Sequence, residues 1–306
     1  MHTSNPMRLL AAAILFAGVW VIVYANLRLL ALWFIGRKVN RFAAAVWLLL
    51  LAVVVFCVVD ATKIEPNWVQ ATHHTIQTSK LYPGSRIRLV HLTDFHSEKP
   101  ALREERMVEL VGREKPDLIV LTGDYTVDKS PQTMRRLSKI VAELRRIAPV
   151  YAVEGNWDAD DDMQALREGG AAILTGWTVF RRAGGPKIAL GALHWYRPGE
   201  PRPPKTLAGL YKVLLCHKPD PFEAAARCRV DLMLAGHTHG GQVRIPVFGA
   251  LLPDQQLVGR YQAGMYYCRD SVLYVNRGIG MEGGAAPRVR FCCRPEVAVI
   301  DIVGRR

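Results

Sequence analysis

The chain carries seven side chains of the kinds that hold divalent cations: Asp94, His96, Asp124, Asn156, His217, His237 and His239. Imidazole is the commonest neutral metal ligand. Carboxylate and amide oxygens complete a mixed nitrogen–oxygen set. The last two histidines sit in Gly236-His237-Thr238-His239-Gly240-Gly241-Gln242, where glycines permit tight turns and a close approach to an ion or a phosphate. Each residue alone has an ordinary role available. Asp94 or Asp124 would cap a helix or form a turn, Asn156 would turn beside Gly155, and His217 would be a core histidine. Together they suffice for two divalent ions sharing one carboxylate, a pair that clamps a phosphoryl group and activates a water.

The elements that must position these residues are short apolar runs. Arg86 to Leu92, Asp117 to Leu121, Val150 to Val153, Lys212 to Cys216 and Val230 to Ala235 read as strands, and each ends just before a candidate ligand. Asp94, Asp124 and Asn156 are separated by 30 and 32 residues, about one βαβ step each. Leu102 to Glu114 has a helical period, and Pro131 to Ile147 is an amphipathic helix with proline in its first turn. Open α/β sheets bind ligands beyond the carboxyl ends of their strands, so all seven residues converge on one edge. Further strands are expected at Lys187 to Leu193, Ser271 to Val275 and Val297 to Ile302, with Gly- and Pro-rich surface loops across 182–210. The expected architecture is α/β, with a mixed sheet or two packed sheets and flanking helices.

Half of the residues are hydrophobic, but unevenly placed. Residues 9–27 and 42–59 are almost uncharged, close to the ~20 apolar residues that span a bilayer. A cleaved signal peptide fits less well than a helical hairpin, because a second apolar run follows and no small-residue cleavage site intervenes. Arg28, Arg37, Lys38 and Arg41 lie between the runs, against Arg8 before them and Lys63 beside Asp60 and Glu65 after them. The positive-inside rule then makes the short loop cytoplasmic and the large domain extracytoplasmic. We therefore expect a membrane anchor over 1–60, a polar linker over 61–84 with a solvated His73-His74 pair, and a catalytic domain over 85–306.

The net charge of +13 favours anionic partners. No basic-aromatic platform or groove-reading helix accompanies it, so nucleic acid is not an expected partner. The six cysteines contain no CxxC pair and read mostly as small buried apolar residues. No GxSxG elbow indicates a serine hydrolase.

The pattern Asp94-Phe95-His96, Gly123-Asp124, Gly155-Asn156, His217 and Gly236-His237-Thr238-His239 resembles the calcineurin-like metallophosphoesterases over roughly residues 86 to 302. Tyr274 to Gly280 and Cys293-Arg294-Pro295-Glu296 are similar to the membrane-anchored branch, which includes UDP-2,3-diacylglucosamine pyrophosphatase-like proteins. The resemblance implies two packed β-sheets flanked by helices. It also implies that Asp94, His96 and His239 bind one metal, that Asn156, His217 and His237 bind the other, and that Asp124 bridges. Asp124, Asn156 and His217 are thereby implied in catalysis. Mn²⁺, Fe or Zn²⁺ suits the donor set.

One position departs from the family. The residue after Gly155-Asn156 is usually histidine, and here it is Trp157, followed by Asp158. An indole cannot protonate a leaving group, which matters most for a poor one such as an alkoxide. The expected substrates are therefore diphosphates or activated esters, with Trp157 packing on an acyl chain or stacking on a base. UDP-2,3-diacylglucosamine is the specific candidate. It is expected at the cytoplasmic leaflet, whereas the charge pattern places the domain outside and so favours an envelope phospholipid or nucleotide phosphodiester. A metal-binding sensor or scaffold with decayed catalysis is the alternative from another class. Arg277, Arg288 and Arg290 read as surface charge as readily as phosphate contacts.

Overall fold

In a computed structural model of the protein, residues 6–98, 102–196, 199–245, 249–250, 260–283 and 288–305 are described. The first five residues of the expected anchor lie outside this set. Two apolar helices come first, α1 (Pro6–Phe34) and α2 (Arg41–Val59). Asn40 caps α2, its side-chain oxygen accepting from the amides of Phe42 and Ala43. Asn26, a polar residue inside α1, donates to the carbonyl oxygens of Ile22 and Trp47 at 2.9 Å, which ties the helices together. No residue of α2 is buried, and Phe42, Leu49 and Phe56 are well exposed.

The strands form two six-stranded sheets among the described residues. The first sheet contains β1 (Gln70–Thr78), β2 (Arg86–Leu92), β3 (Leu118–Leu121), β4 (Val150–Ala152) and β5 (Ala172–Ile173). The second contains β6 (Thr178–Arg181), β7 (Lys187–Ala192), β8 (Tyr211–Leu215) and β9 (Leu232–Ala235). A small antiparallel pair, β10 (Arg244–Ile245) and β11 (Gly249–Ala250), follows. Then β12 (Gly264–Cys268) and β13 (Ser271–Val275) complete the second sheet, and β14 (Glu296–Gly304) returns to the first. The first sheet runs β1-β14-β2-β3-β4-β5 and the second β12-β13-β9-β8-β7-β6. Only β14–β2, β12–β13 and β6–β7 are antiparallel within them. Two packed mixed sheets with flanking helices are what the sequence predicted.

Side chains alternate between two apolar layers, as a pleated strand requires. Leu89 and Ile87 of β2 and Leu118 and Val120 of β3 face Val213, Leu215, Leu232 and Leu234 of the second sheet. Their neighbours Val90, Leu92, Ile119 and Leu121 face outward onto helices α3 (Leu102–Glu114), α4 (Pro131–Ile147) and α5 (Asp160–Glu168), through Met107, Val111, Leu137, Leu144 and Leu166. The second sheet is covered by helix α6 (Phe222–Arg227), with Phe222 against Leu214 and Met233. Burial on both faces explains why these strands read as continuous apolar runs.

Two expectations are corrected. Residues 70–78, expected as linker, form β1, paired in parallel with β14 from Gln70 opposite Glu296 to Thr78 opposite Gly304. Its sequence QATHHTIQT is polar because the strand is a half-exposed sheet edge. His73 is solvated as expected, with its Nε2 2.9 Å from Glu114 Oε2, while the half-buried His74 has its Nε2 3.0 Å from the Tyr274 hydroxyl. Among the cysteines only Cys216 and Cys293 are buried, and Cys292 is exposed.

Leu89→Ala tests the layer between the sheets. We expect a loss of about 2–5 kcal/mol, seen as a fall of about 5–10 °C in the thermal midpoint of the full chain. A shift below about 1 °C would show that the layer is not packed as described.

Candidate metal centre

Every candidate ligand follows the carboxyl end of a strand. Asp94 and His96 follow β2, Asp124 follows β3 and Asn156 follows β4. His217 follows β8, while His237 and His239 follow β9. The first sheet thus presents the oxygens and one imidazole, and the second presents three imidazoles.

Two triads form where the sheet edges meet. The ligand atoms of Asp94, His96 and His239 lie within 4.8 Å of one another, as do those of Asp124, His217 and His237. His96 Nε2 is 3.1 Å from His239 Nε2, and His217 Nε2 is 3.2 Å from His237 Nδ1. Asp124 joins the triads: its Oδ2 is 3.2 Å from His217 Nε2 and 3.7 Å from His96 Nε2. Asn156 lies on the same loop as Trp157, whose backbone amide donates to Asp124 Oδ1 at 2.9 Å. The Asn156 Oδ1 is buried and accepts no hydrogen bond. An orphaned buried oxygen costs about 1–3 kcal/mol, a cost that a cation at this point removes. Donor types and the orphaned oxygen both fit divalent ions.

Such proximity strains the backbone. Asp94, His96, Asp124, His237 and His239 have φ of 52°, 41°, 59°, 71° and 50°. These left-handed conformations are rare for residues other than glycine and cluster at functional sites. The neighbouring loops must also nearly touch. A side chain on Gly123 would meet the Gly155 Cα at 2.5 Å and His217 Nδ1 at 2.9 Å, so glycine is required there.

Electrostatics divide the triads. Burial lowers His96 to about 4 and pushes His239 well down, so both imidazoles are neutral and ready to donate a lone pair. Burial also raises Asp94 to about 6. In the other triad burial opposes charge, but the Asp124–His217 interaction wins: Asp124 is held down at about 2 and His217 is raised to about 9. A cation held by His217 would therefore displace a proton. The His217 Nδ1–H donates to the Thr122 carbonyl oxygen at 2.7 Å, which leaves Nε2 aimed into the site.

The model of calcineurin-like phosphoesterases matches residues 87–241, just over half of the chain. The chain belongs to this family. It is a metal-dependent phosphoester hydrolase. The chain is 32% identical over 262 residues to the uncharacterized metallophosphoesterase YkuE of Bacillus subtilis, covering 79% of this chain and 88% of that one. It is 30% identical over 254 residues to the phosphodiesterase YaeI of Escherichia coli, covering 78% and 90%. A zebrafish (Danio rerio) transmembrane protein with a metallophosphoesterase domain is 27% identical over 234 residues, covering 64% of this chain and 49% of its own. The family's members typically use two divalent ions.

Two features of this family member were not foreseen, the roles of Asp158 and Arg290. Asp158 clamps two ligand loops: its Oδ2 accepts from the amides of Asp124 at 2.9 Å and Gly155 at 2.7 Å, and its Oδ1 from that of Tyr125 at 2.8 Å. Burial, then the charge of Asp124, pushes its carboxyl up to about 7 against the pull of those amides. An acidic residue two positions after Asn156 was the available signal. Arg290, read as surface charge as readily as a phosphate contact, is fully buried. It donates to the carbonyl oxygens of Arg277, Gly278, Gly280 and Cys293 and so knots the loop that passes Asp94. Nothing local in the sequence marks it. Trp157 is 39% exposed, its ring edge-on to His96 with 5.8 Å between centroids.

Asp158→Ala leaves all seven candidate ligands in place but removes the support shared by the Asp124 and Asn156 loops. We expect about 10–100-fold weaker Mn²⁺ binding, measured by titrating the metal-free protein, with Asp158→Asn intermediate because one amide oxygen still accepts. Unchanged affinity in the alanine variant would exclude a positioning role.

Proposed function

We propose that Asp94, His96 and His239 hold one divalent cation, that Asn156, His217 and His237 hold a second, and that Asp124 bridges them. Asp124, Asn156 and His217 are the residues placed in catalysis. The observation that carries this is the position of Asp124 Oδ2, within 4 Å of an imidazole from each triad. Two such ions polarise phosphoryl oxygens and make water nucleophilic at neutral pH. The chain's own residues hold the geometry: the Trp157 amide fixes Asp124 Oδ1, and Thr122 fixes the His217 tautomer. Mn²⁺, Fe and Zn²⁺ all suit the donors.

The substrate is a phosphodiester or diphosphate with a good leaving group. Trp157 stands where the family has a histidine and offers no proton at the mouth of the site. Its exposed indole supplies an apolar or stacking surface. The substrate is lipid-linked, with UDP-2,3-diacylglucosamine as the specific candidate. Two helices long and apolar enough to cross a membrane support this, together with their outward-facing apolar side chains. The protein is then multi-pass, with the loop carrying Arg28, Arg37, Lys38 and Arg41 in the cytoplasm. A domain on the opposite side would meet an envelope phospholipid or nucleotide diester instead, and protease accessibility in intact cells separates the two.

Hydrolysis of bis-p-nitrophenyl phosphate by the full chain, with and without Mn²⁺, tests the centre. We expect metal-dependent turnover, and for Asp124→Ala a loss exceeding the about 100-fold that follows loss of a ligand's support alone. Bound metal without turnover of any phosphoester would instead establish a metal-binding scaffold. Trp157→His should add activity on simple alkyl phosphate esters. If the unaltered protein already prefers those esters, the leaving-group reading is wrong.

A further inference from the structure

At the end of α2 the chain does not pass straight into the catalytic sheets. A π-helical turn over Asp60–Ile64 and a 3₁₀ turn over Glu65–Asn67 come first, and a groove opens between them and α3. Its volume is about 660 Å³, within the range of small-molecule sites. Lys63, Arg106 and Arg113 supply positive charge, and Ile64, Trp68 and Leu102 supply exposed apolar surface. Trp68 is half exposed, with the Arg294 guanidinium 3.6 Å from its ring centroid. The acidic residue of the groove, Glu109, pairs with Arg113, but both side chains are largely exposed and such a pair is readily exchanged for another anion. Arg106 also donates to the Asn67 carbonyl oxygen, which holds the groove's two walls together.

We propose that this groove binds the headgroup of an anionic phospholipid. The inference rests on reading α1 and α2 as bilayer-spanning. Two observations select that occupant. The groove begins within a few residues of the C-terminal end of α2, so it sits at the level where a spanning helix leaves the hydrocarbon. It also combines an indole, two aliphatic side chains and a basic cluster, the composition of an interfacial belt facing acidic lipid. The phosphate meets Lys63, Arg106 and Arg113, while the glycerol and first acyl carbons lie along Trp68, Ile64 and Leu102.

The test uses the full chain in neutral-detergent micelles, with short-chain phosphatidylglycerol, short-chain phosphatidylcholine or inorganic phosphate added, and follows the thermal midpoint. A ligand bound only by the folded state raises that midpoint. We expect phosphatidylglycerol alone to raise it, by about 3 °C or more. The double substitution Lys63→Glu with Arg113→Glu should abolish the rise. Lys139→Glu with Arg202→Glu, at exposed sites elsewhere, should preserve it. Turnover of bis-p-nitrophenyl phosphate verifies that each variant is folded, and Lys63→Gln with Arg113→Gln replaces the first pair if it is not. Equal rises with both lipids, or a rise that survives the groove substitution, would overturn the proposal. A rise with phosphate alone would overturn the lipid as occupant. Extraction by alkaline carbonate separately tests whether the chain spans a membrane, so the two failures are distinguishable.

Discussion

The structure is organised around one costly juxtaposition: two carboxylates and four imidazoles share a buried space in which several donor atoms lie 3–4 Å apart. Such groups repel or strip one another of water unless something positive stands between them. Within the chain, the second triad compensates by placing a proton on His217 against Asp124. The first has no equivalent, since its imidazoles are neutral and its carboxyl is raised towards protonation. Divalent cations are the one compensation that suits both triads. Five left-handed backbone conformations and the Gly123–Gly155 contact show how much local strain the fold sustains to hold these side chains at this distance.

That strain is borne by elements outside the ligand set. The packed sheets bring the β2, β3 and β4 loops against those of β8 and β9, but sheet packing alone sets positions no better than the loops allow. The Asp158 carboxylate fixes the β3 and β4 loops to each other through three amides. On the opposite side, the Asp94 carboxylate accepts from the His237 amide at 3.0 Å, joining the first sheet to the second. Arg290 then closes the loop over Asp94 from inside. Removing a buried arginine with several carbonyl partners leaves unpaired oxygens behind, so this loop has few ways to rearrange.

Much of this could be read from the sequence, for identifiable reasons. Strands buried on both faces leave continuous apolar runs, and α3, α4 and β13 lie at the residues their periodicity marks. The strand-end placement of the candidate ligands was readable because metal chemistry restricts residue type and the βαβ repeat restricts spacing. What escaped has the opposite character. Strand β1 is a half-exposed edge whose residues carry no apolar alternation, so its pairing with β14 is a tertiary outcome. Arg290 looks like any surface arginine until the loop wraps it. Asp158 sits beside the ligands in sequence, yet its role depends on amides more than 30 positions away.

The most consequential of these is the stretch expected to be a linker. A flexible tether would leave the catalytic domain free to tumble relative to α1 and α2. Instead, buried Glu65, within the turns that continue α2, accepts hydrogen bonds from the amides of Cys292 and Cys293. The Ala61 carbonyl accepts from the Arg290 amide at 3.0 Å, and the Cys293 thiol donates to the carbonyl of His239 at 3.3 Å. A line of direct contacts thus runs from the end of α2 to a candidate metal ligand. The orientation of α2 is thereby coupled directly to the candidate metal centre. On the proposed reading of α1 and α2 as membrane spans, such a mount would present the site at one height, which would suit the lipid-linked substrate proposed above.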